Sequence, residues 1–86
     1  MDQKDINKIA KVIQQFSSSA DLESFLIAIF TPDELRQLNT RLKIIQKLKT
    51  KTPQQKIAQQ LGVGVATVTR GSKVLQNPRF KNINWG

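Results

Sequence analysis

The side chains able to do chemistry in this 86-residue sequence are cations, hydroxyls and amides, not nucleophiles. There is no Cys and no His, which removes thiolate nucleophiles, imidazole bases, disulfides and Cys/His zinc sites. The six acids are Asp2, Asp5, Asp21, Glu23, Asp33 and Glu34, placed as caps and surface charges and not as a general acid–base pair. An enzyme is therefore not expected. Fourteen Lys and Arg give a net charge of +8, and their distribution says more than their sum. Residues 1–35 hold three Lys and all six acids, a net −3, whereas residues 36–86 hold eleven Lys/Arg and no acid, a net +11. A basic surface segregated in this way suits a polyanionic partner.

Inside the basic half, residues 54–73 have the spacing of a helix-turn-helix. Ala58 is the small residue that lets two helices cross closely, and Gly62, four positions on, tolerates positive φ at a turn. Ile57, Leu61, Val63 and Val68 fall where apolar wedges are needed between the helices. On the second helix this leaves Ala66, Thr67, Thr69, Arg70 and Lys73 facing outward. Small and hydroxyl side chains allow close entry into a major groove, where Thr can donate, accept or touch a thymine methyl. An ordinary helix pair in an all-α domain has the same Ala–Gly spacing. The acid-free surroundings favour double-stranded DNA as the partner.

The elements that must position these residues follow from periodicity and caps. Ile6, Ile9, Ile13 and Phe16 draw one stripe on a helix, which Ser17-Ser18-Ser19 ends. Leu22, Phe25, Leu26, Ile27, Ile29 and Phe30 read as a buried core helix. Thr31-Pro32-Asp33-Glu34 is a capping box with Pro at the first helical position. It starts a central helix over residues 31–51, with Leu35, Leu38, Leu42, Ile45 and Leu48 on its inner side. Arg36, Arg41, Lys43, Lys47, Lys49 and Lys51 run around the rest of it. Thr52-Pro53-Gln54-Gln55 repeats the capping device at the head of the 53–76 helix-turn-helix segment, and 77–86 form a short tail.

Length suits one domain over 1–86, yet a monomer of this size buries only about 60% of its unfolded surface. The apolar stretch Ile6–Phe30 exceeds what the second half can cover, so the helices of residues 1–30 are expected to build a dimer interface. No apolar run approaches the ~18 residues of a membrane span, and Met-Asp-Gln-Lys-Asp is not the start of a signal peptide. A cytoplasmic binding protein is the simplest expectation, with no membrane partner.

The segments Thr31-Pro32-Asp33-Glu34, Thr40-Arg41, Leu61-Gly62-Val63-Gly64 and Val65-Ala66-Thr67-Val68-Thr69-Arg70-Gly71-Ser72 resemble the bacterial tryptophan operon repressor family. The resemblance runs over about residues 28–76. It implies an all-α, multi-helix intertwined homodimer that binds a palindromic operator as a transcriptional repressor, with L-tryptophan as corepressor and no other cofactor or metal. Carried over by position, Gln54, Gln55, Ala58, Gly64, Val65, Ala66, Thr67, Thr69 and Lys73 are the DNA-binding positions. Arg41 and Arg70 would flank an indole ring, a favourable guanidinium–aromatic arrangement, with Arg70 and Thr31 on the ligand carboxylate. Gly71 would leave room for the ring edge, and backbone carbonyls near Ala28 and Phe30 would take the ammonium. Without the resemblance, phosphate contact or solvated charge would be the reading of both arginines.

The sequence also departs from the family. Val74 stands where the family has a serine that helps hold the ligand amino group, and Gln55 and Ala58 replace two basic DNA contacts. The turn before Thr52 is one residue shorter, and the segment after Asn77 reads as a tail where the family has a longer last helix. A regulator of this type that is ligand-independent, or that responds to another small molecule, is the alternative these departures raise.

Overall fold

A computed structural model describes all residues from Met1 to Gly86. It is all-helical: α1 (Gln3–Ile13), α2 (Ser19–Ile29), α3 (Pro32–Lys49), α4 (Gln54–Leu61), α5 (Val65–Gln76) and a 3-10 turn at Pro78–Phe80. The chain divides into two compact units, Met1–Leu35 and Arg36–Gly86, where length alone suggested one domain. The division falls at the charge break, so one unit carries the net −3 and the other the +11.

In the first unit every helix start is held by a side chain. Asp2 accepts from the Asp5 N–H at 3.0 Å and Asp5 accepts from the Asp2 N–H at 3.3 Å, a reciprocal box that starts α1 earlier than the apolar stripe suggested. Phe16 therefore lies beyond α1, and its ring meets that of Phe25 at 4.9 Å. Ser18 from the serine break caps α2 by accepting from the Asp21 N–H at 3.1 Å. The expected capping box at α3 is present, with Glu34 N–H donating to Thr31 Oγ1 at 3.1 Å and Thr31 N–H to Glu34 Oε1 at 2.9 Å. The expectation of a buried second helix is not met within the chain. No residue of α1 or α2 is buried, and Ile27 remains 71% exposed. Two antiparallel helices present too few facing surfaces to enclose side chains that project on all sides.

The second unit has a true core of Ile44, Ile57, Ala58 and Val68, with Leu48, Leu61 and Val63 packed against it. The leucine stripe drawn on α3 is therefore corrected. Leu38 and Leu42 are exposed, and Ile44, outside that stripe, is the most buried residue of the helix. The reason lies at Gly71 of α5, where an added Cβ would stand only 2.8 Å from Ile44 Cγ2. Close approach of α5 thus selects which face of α3 is covered. It also offsets the poor helix propensity of the β-branched, glycine-containing α5.

The second capping box is also corrected. Pro53 is the N-cap of α4 with no side-chain hydrogen bond, and the Thr52 hydroxyl lies 3.2 Å from that of Thr50. Thr52 is already used to close α3: its N–H donates to Lys47 O at 3.2 Å and the Lys51 N–H to Leu48 O at 3.0 Å, with Lys51 at φ 62°. That is a Schellman motif with lysine where glycine is the usual residue. At the other end of α4, Gly62 adopts φ 64° as expected of its position in the turn. The tail is tied down: Asn77 Oδ1 accepts from the Arg79 N–H at 3.0 Å, Phe80 meets Trp85 edge-on at 6.4 Å, and Gln46 Nε2 donates to Trp85 O at 2.6 Å.

Candidate DNA-facing helix and ligand pocket

Gly62-Val63-Gly64 joins α4 to α5 in a three-residue turn. Val68 of α5 is completely buried against Ile57 and Ala58 of α4, so the opposite side of α5 is left outward. Val65, Ala66, Thr67, Thr69, Arg70 and Lys73 are all exposed there, with Gly64 exposed in the turn before them. Gln55 is exposed on α4 and Gln54 half-buried. Ala58, carried over as a DNA position, is buried in the core, where its methyl serves helix crossing and does not reach the surface. The Thr69 hydroxyl lies 2.9 Å from Gln54 Oε1 and 3.1 Å from Val65 O. This pairing, which sequence spacing does not show, ties α5 to the first turn of α4 and leaves the Gln54 amide N–H groups available to an acceptor.

The inner flank of α5 meets α3 in a cavity of about 430 Å³. Arg41, Ile44 and Ile45 line it from α3, and Ala66, Thr67, Arg70, Gly71 and Val74 from α5. Two arginines 29 positions apart in sequence are thus brought to one pocket, with no carboxylate in residues 36–86 to neutralise either. A pocket with two cationic walls and a hydrocarbon floor can take a flat apolar ring bearing an anionic group. Ile44 and Ile45 were not anticipated as lining residues; their i+3 and i+4 spacing from Arg41 is the signal that places them on its face. Gly71 lines the pocket and also meets Ile44, so its missing side chain serves helix approach as well as free volume. Val74 is a half-buried hydrocarbon on the wall. Ala28, Phe30 and Thr31 belong to the first unit, where Phe30 lines an apolar groove and Thr31 caps α3.

A more open groove of about 620 Å³ runs along α5 to the tail, with Arg70 and Lys73 beside Asn77 and Phe80. Arg70 therefore borders both concavities. No group of acids is placed to hold a metal ion, and no helix is long and apolar enough to cross a membrane.

Comparison with known proteins extends the resemblance well past residues 28–76. The family model described as Trp repressor protein matches residues 4–83. A Trp operon repressor homolog of Vibrio campbellii is 39% identical over 75 residues, covering 86% of this chain and 75% of that protein. The homolog of Aliivibrio fischeri is 35% identical over 82 residues, 94% of this chain and 76% of its own length. That of Vibrio cholerae is 35% identical over 71 residues, with 81% and 69% covered. With most of its length matched and its helices in the order the motifs require, the chain belongs to the Trp repressor family.

Proposed function

We propose that this chain is a transcriptional repressor that binds a palindromic operator as a homodimer, with L-tryptophan as corepressor. Membership of the family makes it a DNA-binding regulator of transcription and not an enzyme. The observation that carries the finer reading is the double duty of α5. The helix whose outer side presents Ala66, Thr67, Thr69 and Lys73 also forms one wall of the two-arginine pocket. A ligand stacked between Arg41 and Arg70, its carboxylate held by Arg70, would set the position of α5 relative to α3. It shifts the equilibrium only as far as it prefers the DNA-competent position. Operator DNA must in turn tighten the ligand by the same factor.

The DNA face in this reading comprises Gln54, Gln55, Gly64, Val65, Ala66, Thr67, Thr69 and Lys73. Threonines and small residues approach base edges, and Lys73 and the glutamines approach phosphates. Helix-turn-helix dimers, the Trp repressor among them, read half-sites one DNA turn apart, which is why a palindrome is expected. Support for the dimer comes from the first unit, whose apolar side chains find no cover within the chain. As a DNA-binding regulator with bacterial relatives, it would work in the cytoplasm.

Sequence selection followed by an anisotropy titration with and without L-tryptophan tests this reading. A selected palindrome bound more tightly with L-tryptophan is the expected result. Steep salt dependence with no sequence preference would instead mark binding by phosphate neutralisation alone. Val74, which offers the ligand amino group no partner, favours a second reading in which the same fold works without ligand or with a different one. A palindrome bound equally tightly with and without L-tryptophan would support it.

A further inference from the structure

The pocket between α3 and α5 offers much to an anion and little to an ammonium. Arg41 and Arg70 supply two guanidiniums, Thr67 a hydroxyl, and the other lining residues are Gly71 and hydrocarbon side chains, Val74 among them. No carboxylate occurs anywhere in residues 36–86. The backbone carbonyls of the lining residues are engaged within their own helices, and that of Val74 accepts from the Asn77 N–H at 3.2 Å. An α-ammonium placed here would meet two like charges and a valine, whereas a carboxylate would meet two guanidiniums able to bond it in parallel. The flat, apolar part of the cavity accepts an aromatic ring with or without an amino group on its side chain.

We propose that this pocket selects flat aromatic carboxylates and gives no preference to an α-amino group, with Val74 as the residue that sets this specificity. The inference rests on the reading of the cavity as the ligand site. It names the ligand class that the cavity walls favour, with L-tryptophan as one member and not the preferred one.

Calorimetric titration of the full chain with L-tryptophan and with indole-3-propionate tests it, because the two ligands differ only in the amino group. The native chain is expected to bind indole-3-propionate at least as tightly as L-tryptophan. Val74→Thr keeps the shape of valine and adds a hydroxyl, so it should move the affinity ratio toward L-tryptophan about fivefold. Val74→Ser should move it the same way, and guards against a threonine rotamer that turns its hydroxyl aside or a variant that folds poorly. A native chain that prefers L-tryptophan would overturn the proposal, since acceptors outside these walls would then govern. An affinity ratio unchanged in both variants would overturn the role of Val74. Binding of neither ligand by the native chain would overturn the pocket reading together with the proposal.

Discussion

Residues 36–86 bury Ile57 and Val68 completely and Ile44 to 1% exposure, whereas in residues 1–35 not one side chain of α1 or α2 is buried. Composition would suggest the reverse. The first unit is the more apolar, with α2 hydrophobic on nearly every side, and the second carries eleven cations. The difference lies in how many surfaces cross. In the second unit α3, α4 and α5 converge on one point, and three converging helices enclose a few small apolar residues well. In the first, a hairpin of two helices leaves an apolar groove of about 330 Å³ between residues such as Ile9, Val12, Phe25 and Ile29. Hydrophobic content therefore marks where association is needed, and geometry marks where a chain closes on itself.

The contrast can be broken at several points. If the apolar face of the first unit is covered by a second copy, Ile29→Asp should place an uncompensated charge in that interface. Dimerisation should then weaken by roughly 3–5 kcal/mol, read by sedimentation as a monomer at concentrations where the native chain is dimeric. An unchanged sedimentation profile would mean this face is not the interface. In the second unit Ile57→Ala should cost about 3 kcal/mol in urea unfolding, because a fully buried side chain is removed from a small core.

Gly71→Ala tests the α3–α5 approach. Its new methyl must displace Ile44 Cγ2, so a loss of about 2 kcal/mol is expected together with weaker ligand binding. Free stability with normal ligand affinity would show that the helices do not cross so closely. Gly62→Ala should cost about 1 kcal/mol from φ 64° alone, since open space surrounds the added Cβ. The smallest effect should have the opposite sign. Lys51→Gly relieves a left-handed lysine and should raise stability by about 0.5 kcal/mol, while a fall in stability would mean the side chain contributes more than its strain costs.

Much of the candidate site was legible in the sequence because its signals are local. Gly62 announced a left-handed turn, Thr31 and Glu34 announced a helix start, and the spacing of Ile57, Leu61, Val63 and Val68 named the wedge between two helices. The failures occurred where two elements compete for one residue. Thr52 has the right neighbours for an N-cap, yet its N–H closes α3 and Pro53 takes the cap position. Ile44 lay outside the expected stripe because the stripe was drawn from α3 alone, and α5 chooses the face. Ala58 could be read as a surface position by alignment or as a crossing residue by spacing, and burial favours the second.

By itself, the sequence determined that this chain has no nucleophile, imidazole or acid pair, that its charge divides at residue 35, and that a helix, a glycine turn and a second helix lie in the basic part. Those properties depend on residue type and on neighbours within a turn or two along the chain. Tertiary structure alone decided that Arg41 and Arg70 share a pocket, that Thr69 meets Gln54, and that α2 finds no cover within one chain. Each of these depends on which helix faces meet. That is set by packing between distant segments, where one close contact, Gly71 against Ile44, chooses the side of a helix that becomes the inside.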